Sequence, residues 1–294
     1  ANPVRNLGIY INDLQRFMAS AMKIIEIYYA HPRIADREDA VDSNERLKGE
    51  IEFRNVTFKY GKKTVLDNIS FSVKPGETVA VMGETGSGKT TLINLIPRFY
   101  DVSQGEVLVD GVNVKFRKLG QLRKNIGMAT QDVLLFSDTI DGNIAYGDSD
   151  MPEEDVRKYA KLSAADGFIT KMPDGYETLI GERGVGLSGG QKQRISLARA
   201  LAIKPAILIL DDTTSAVDME TEKHIQDSLE NLDFDCTKII IAQRISSTKD
   251  ADKIIILENG KIKEMGTHEE LIAKKGYYYE VFQLQNEGFG KEAV

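Results

Sequence analysis

Near the start of the chain, apolar residues recur with an alternating four-three spacing: Leu7, Ile11, Leu14, Met18, Ala21, Ile25 and Tyr28. That stripe predicts one helix over residues 3–29 with a packed seam. Asn2 offers a cap and Pro3 a favourable first helical position. His31-Pro32 should end the helix, because proline disfavours the helical state of the residue before it. Two readings stay open. The helix packs on its own domain or on a copy of itself, or it is the end of a longer helix that connects to a domain outside this chain.

Residues 33–48 (RIADREDAVDSNERLK) are charged, poor in large apolar residues and without periodicity. They read as a solvated linker, placing a domain boundary near Gly49. Beyond it the pattern changes. Ile51, Phe53, Val56 and Phe58 predict a strand, as do Ile69 to Val73 and Thr78 to Met82. Helical patterns cover Lys89 to Ile96, Glu153 to Leu162, Gly189 to Ala202 and Asp218 to Asn231, with short apolar runs at Ala206–Leu210, Lys238–Ala242 and Lys253–Leu257. Such runs alternating with helices predict a mainly parallel sheet covered on both faces. Residues 50–75 and 105–115 are richer in strands and turns, which predicts an antiparallel β subdomain beside that core. Thr267 to Glu270 has the capping-box pattern, so His268 reads as a helix-start residue rather than a ligand.

Composition narrows the function classes. Acidic residues outnumber basic ones, 45 to 38, for a formal net charge of −7. That balance argues against nucleic acid, whose non-specific binding rests on neutralising phosphates with Lys and Arg. A single cysteine, Cys236, excludes an internal disulfide and reads as a small buried hydrophobe. No window approaches 18 consecutive apolar residues, and no charged-then-apolar leader opens the sequence. Its first residues, Ala-Asn-Pro without Met, read as those of a fragment or a processed chain.

Three segments carry chemistry. Gly83-Glu84-Thr85-Gly86-Ser87-Gly88-Lys89-Thr90, followed by Thr91, lies between a predicted strand and a predicted helix, the context a phosphate-binding loop requires. Its glycines let backbone N–H groups turn inward on phosphate oxygens, and the helix start adds positive potential. Lys89 would reach the β- and γ-phosphates and the Thr90 hydroxyl would sit on Mg²⁺. Second, Ile207 to Asp211 is an apolar strand ending in a carboxylate, which at the sheet edge beside such a loop can hold Mg²⁺ through water. Third, Leu187-Ser188-Gly189-Gly190-Gln191 precedes a helix and suits a second anion site. One nucleotide does not need two cradles, so the second could serve a nucleotide bound mainly by another subunit.

With these motifs in place, residues 50 to about 285 resemble the nucleotide-binding domain of an ABC exporter, in an α/β P-loop NTPase fold. The resemblance rests on five motifs in the family's order: the phosphate loop, Gln131 in Ala-Thr-Gln-Asp, the LSGGQ signature at 187–191, Asp211, and the loop Ser215-Ala-Val-Asp218. It implies that Tyr60 stacks on adenine, that Gln131 touches Mg²⁺ and senses a membrane domain, and that Gly181-Glu-Arg-Gly184 is the exporter-specific segment. ATP and Mg²⁺ are the implied cofactors. The family's domains pair head to tail, so the implied partners are a second ATP-binding chain, whose nucleotide would meet Ser188, Gly189, Gly190 and Gln191, and a membrane domain. On this resemblance residues 1–30 are the cytoplasmic end of the last transmembrane helix, 31–48 a charged linker and 49–294 the ATP-binding domain with a helical subdomain around 135–200. The implied location is the cytoplasmic face of the cell membrane.

Two positions depart from the family's pattern. The residue after the Mg²⁺ aspartate is normally Glu, which polarises the attacking water; here it is Asp212, one methylene shorter, a displacement of about 1.5 Å. The switch position is normally His; here Gln243 can hydrogen-bond a phosphate but cannot carry charge or move a proton. Thr213 also replaces the usual proline. A misplacement near ~1 Å can cost on the order of 10²-fold in rate. The expectation is a split role: this chain's own site binds ATP well and hydrolyses it slowly, while its signature completes a competent site on a non-identical partner. Two alternatives remain beside it, an ordinary homodimeric exporter ATPase and a regulatory ATP-binding module without turnover. A soluble ABC ATPase of DNA repair or translation fits less well, since the chain has neither a second cassette nor a long coiled-coil insertion.

Overall fold

The computed structural model describes residues 2–291 except 44, 182, 183, 185, 214 and 215; for 2, 4, 5 and 286–291 it describes the backbone alone. The chain divides into two compact units, residues 1–35 and 36–294. The first contains helix α1 (Asn2–Tyr28), which stops as the His31-Pro32 signal predicts. No helix among the described residues is long and apolar enough to cross a membrane.

The second unit holds two sheets. The first runs β1 (Ile51–Tyr60), β2 (Lys63–Val73), β4 (Gln104–Val109) and β5 (Val112–Asn113), all antiparallel, in the order β2-β1-β4-β5. Phe53 and Phe71 sit directly opposite across β1 and β2 and stack with centroids 4.6 Å apart. The second sheet has the order β10-β9-β3-β8-β7-β6. It comprises β3 (Thr78–Met82), β6 (Ile126–Ala129), β7 (Ile207–Asp211), β8 (Thr237–Ile241), β9 (Lys253–Glu258) and β10 (Lys261–Gly266). All its pairs are parallel except β9 with β10.

Strand alternation shows how the parallel sheet is buried. Ile207 and Ile209 of β7 enter the core shared with the antiparallel sheet, while Leu208 and Leu210 enter a helical core on the opposite face. Likewise Ile255 and Leu257 of β9 join the first core, and Ile254 and Ile256 pack under α9 (His268–Lys274) and α10 (Tyr277–Lys291). Successive side chains point to opposite faces, so a strand covered on both sides reads as an unbroken apolar run. The helical layer contains α4 (Ile140–Ile144), α5 (Glu153–Leu162), α6 (Asp166–Ile169) and α7 (Gly189–Ala202), with α8 (Met219–Glu230) following β7. The fold is therefore an α/β P-loop core with an antiparallel β subdomain and a helical subdomain.

Two local differences from the sequence reading have physical causes. The helix predicted over Lys89 to Ile96 is α2 (Lys89–Asn94); Leu95 and Ile96 continue as tight turns, their N–H groups bonding Leu92 O and Ile93 O at 3.3 Å. Pro97 follows and disfavours the helical state of the residue before it. Residues 36–48, charged as they are, lie on the second unit. Asp36 Oδ1 accepts from Leu119 N (2.7 Å), Leu47 is buried, and the Asp110 carboxylate accepts from Lys48, Gly49 and Glu50 N–H at 2.7–3.0 Å. The contacts at 48–50 are made through backbone N–H groups, which composition does not reveal.

Candidate functional site

The phosphate loop is the β3–α2 connection. Gly83 takes φ +144, and a Cβ there would meet Leu257 O at 2.1 Å, so only glycine lets the chain turn off β3 at this point. Ser87 N bonds Glu84 O (3.2 Å) and Gly260 N bonds Ser87 O (3.1 Å), which closes the loop onto the β9–β10 turn. The Ser87 hydroxyl is buried and has no hydrogen-bond partner among the described residues. Such an orphan costs about 1–3 kcal/mol unless something outside the described residues satisfies it.

Lys89 opens α2 and its Nζ donates to Gly83 O (2.7 Å) and Glu84 O (2.8 Å). The ammonium is thus held over the mouth of the loop. Burial pushes it below its ordinary value, opposed by the negative charges of Asp211 and Asp212. Next to it the Thr90 hydroxyl donates to Asp211 Oδ2 at 3.0 Å. Asp211 is the buried last residue of β7, and burial pushes its carboxyl up while the Thr90 hydroxyl pulls it down. A hydroxyl and a buried carboxylate meeting beside a lysine form a hard-oxygen donor set that fits Mg²⁺.

Asp212 follows in the left-handed region, φ +52, a conformation Asp adopts more readily than most residues. Its peptide is gripped from both sides: Asp212 N donates to Ile241 O (3.0 Å), and the buried Gln193 of α7 donates to Asp212 O (3.3 Å). Sequence reading missed Gln193, a polar residue among the buried positions of a helix whose apolar neighbours dominate the pattern.

Most of the nominated residues meet in one cleft of about 240 Å³. Its lining combines Thr85, Gly86, Gly88, Lys89, Thr90 and Thr91 with Asp211, Asp212, Gln131, Gln243, Val65 and Ile241. Gly83, Glu84 and Ser87 belong to the same loop but not to the lining. Gln131 also lines a second cleft of about 430 Å³, together with Leu134, Gly189 and Lys192.

Tyr60 lies at the end of β1, outside the cleft lining. It is half-exposed and stands edge-on to Phe58 (4.8 Å) and Tyr100 (5.3 Å). Burial and a hydrogen bond with Tyr100 push its hydroxyl up, while one with Thr91, itself a cleft residue, pulls it down. Ser188, Gly190 and Gln191 line neither cleft. Ser188 caps α7 and forms a capping box with Gln191: Ser188 Oγ accepts from Gln191 N (3.3 Å), and Gln191 Oε1 accepts from Ser188 N (2.9 Å). Gly189 is exposed at that tip, and a Cβ on it would meet nothing within 4 Å. Ser188 and Gly189 are therefore exposed at the start of α7, while Gly190 behind them is buried. Glu182, Arg183 and Ser215 lie outside the described residues.

Comparison with known proteins places these features. The ABC transporter family profile matches residues 66–215. An ATP-dependent lipid A-core flippase of Syntrophus aciditrophicus is 45% identical over 283 residues, covering 96% of this chain and 47% of that protein. An uncharacterized ABC transporter ATP-binding protein of Bacillus subtilis is also 45% identical, over 285 residues, covering 96% and 48%. The structure of a bacterial Atm1-family ABC exporter with ATP bound superposes with a TM-score of 0.89 at 36% identity, covering 95% of this chain and 49% of that one. The chain thus spans about half the length of the relatives it matches.

Proposed function

The chain belongs to the ABC transporter family, and from that premise we propose that it is the ATP-binding motor of an exporter whose membrane domain lies outside residues 1–294. In this reading 49–294 is the ATP-binding domain, 31–48 a connecting segment and 1–30 the cytoplasmic end of the last transmembrane helix. ATP binds with Mg²⁺ in the cleft of Lys89, Thr90 and Asp211. The Ser87 hydroxyl and the loop N–H groups receive phosphate oxygens, and Lys89 leaves Gly83 and Glu84 to reach the β- and γ-phosphates. Thr90 and Asp211 would hold the Mg²⁺, which neutralises the phosphate charge when bound. Tyr60 supports adenine at the outer end, and Gln131, which lines both clefts, relays the state of the site towards the membrane domain.

The observation that carries the finer reading is the cleft wall itself. Asp212 and Gln243 stand beside an intact set of Lys89, Thr90 and Asp211. Binding needs only that set. Hydrolysis needs a water polarised at the distance of a longer carboxylate, and Asp212 stops about one bond short of it. The chain's own site therefore hydrolyses ATP slowly, and its helix start at Ser188 to Gln191, exposed at Ser188 and Gly189, completes a competent site on a non-identical ATP-binding partner.

The test is steady-state ATP hydrolysis by the native chain beside Asp212→Glu/Gln243→His, with Lys89→Ala as blank, across a wide range of protein concentration. The expected result is native activity near the blank and a restored variant whose specific activity rises with concentration. Equal turnover by the two would overturn the slow-site reading and favour an ordinary homodimer. A blank-level rate in both, with ATP binding retained, would favour a regulatory module.

A further inference from the structure

The loop that carries Gln243 is held by a residue of the C-terminal helix. Gln285, on α10, donates from Nε2 to Gln243 O (2.9 Å) and accepts at Oε1 from Ile245 N (2.8 Å). One side-chain amide thus closes a ring over three consecutive residues. A carboxamide is the side-chain group that offers a neutral donor and acceptor side by side; Glu could accept from Ile245 but could not donate to Gln243.

Both ends of this clamp are anchored. Tyr278 of α10 is fully buried in one cluster with Leu271 of α9, Ala80 and Met82 of β3, and Ile245 itself. On the other side of the loop, Arg244 Nη1 pairs with Glu222 of α8 at 3.2 Å, and the Ser247 hydroxyl donates to the same buried carboxylate. Residues 244–247 are therefore fixed between α8 and α10. Gln243 is exposed and lines the cleft. Packing does not set the direction of an exposed side chain, so the backbone on which it stands does.

We infer that Gln285 is a positioning residue for Gln243, and that docking of α10 thereby regulates the γ-phosphate end of the cleft; this rests on the reading of the cleft as an ATP site. Released from Gln285, the 243–245 backbone loses the anchor at its Gln243 end, and Gln243 is held less firmly at the cleft where the proposed ATP site would present its terminal phosphate. By linkage, a nucleotide that engages Gln243 tightens α10 in return. ADP, which has no γ-phosphate, does neither.

The experiment measures affinities for a non-hydrolysable ATP analogue and for ADP, both with Mg²⁺, by displacement of a fluorescent nucleotide. It compares the native chain with Gln285→Ala, Gln285→Glu, Gln243→Ala and the Gln243→Ala/Gln285→Ala pair. The preference for the triphosphate should fall about 3- to 10-fold in Gln285→Ala, the worth of a lost hydrogen bond or two. ADP affinity should stay within about twofold on the same argument. Gln285→Glu should fall between, and the pair should be no worse than Gln243→Ala alone, a non-additivity that general destabilisation would not give. Exchange of the Ile245 amide should quicken in Gln285→Ala. An unchanged triphosphate preference in Gln285→Ala, or losses that add in the pair, would overturn the inference. If the native chain binds neither nucleotide, the ATP-site reading fails instead, and Ile245 exchange alone then decides whether the clamp exists.

Discussion

The Thr90 hydroxyl donates to Asp211 Oδ2 at 3.0 Å, tying the second residue of α2 to the last residue of β7. This bond joins two residues 121 positions apart in sequence, the pair proposed to hold Mg²⁺. Asp211→Asn keeps the shape and removes the charge. Its MgATP affinity should drop about 10- to 100-fold, the range for disturbing a metal's supporting ligands, while affinity for metal-free ATP holds or rises because a buried negative charge is gone. Binding titrations with and without Mg²⁺ check this; an equal loss in both would mean that Asp211 supports the loop rather than the ion.

The phosphate loop contains glycines with different duties, and substitution separates them. Gly83→Ala drives a Cβ to 2.1 Å from Leu257 O at φ +144, so the β3–α2 turn must break. A loss above ~3 kcal/mol and failure to fold stably are expected. Gly86 has φ +83 but open space around it. Gly86→Ala should cost only about 1–2 kcal/mol of backbone strain and leave a folded protein whose ATP affinity falls. Thermal melts with nucleotide titration distinguish the two; similar melting temperatures would contradict the assignment.

The legible parts of this protein are those written in local pattern. The phosphate loop, the Asp211 strand and the LSGGQ helix start depend on residues a few positions apart, and each is found between the predicted elements. The runs at 206–210, 238–242 and 253–257 show as strands because both faces are apolar. β6 is four residues with a glycine in it, too short for any periodicity, and went unseen. So did α10, whose Tyr278 and Gln285 matter through contacts with residues 10 and 40 positions away. Lys89 folded onto Gly83 and Glu84 is likewise a three-dimensional fact: the sequence names the lysine, not where it rests before a phosphate arrives.

Cys236 offers a test of the helical core. Burial pushes its thiol from about 9 up to about 11, outweighing the nearby positive charges of Lys238 and Arg46. Because the folded value is raised, the stability linked to the neutral thiol is fully present below pH 9 and is lost as pH rises through 11. At neutral pH the thiolate is scarce, and the thiolate is the reactive form. Ellman's reagent should therefore leave the native chain untouched and react promptly once guanidinium unfolds it. Rapid labelling of folded protein would show that the 235–237 region opens.

Gly189 separates what the signature does for its own chain from what it does for another. It is exposed at the first position of α7, free of neighbours within 4 Å of a Cβ, and not in a left-handed conformation. Gly189→Asp should be tolerated and even slightly stabilising, since a carboxylate in the first turn favours the helix dipole by about 0.3–1 kcal/mol. The same carboxylate would repel a phosphate presented by a second chain. The expected outcome is an equal or slightly raised melting temperature and unchanged ATP affinity in dilute solution, where the chain's own loop does the binding, with loss of ATP-dependent association measured by light scattering. Weakened ATP binding at high dilution would put the signature at the chain's own nucleotide, and the role proposed for Ser188 to Gln191 on a second chain would have to be abandoned.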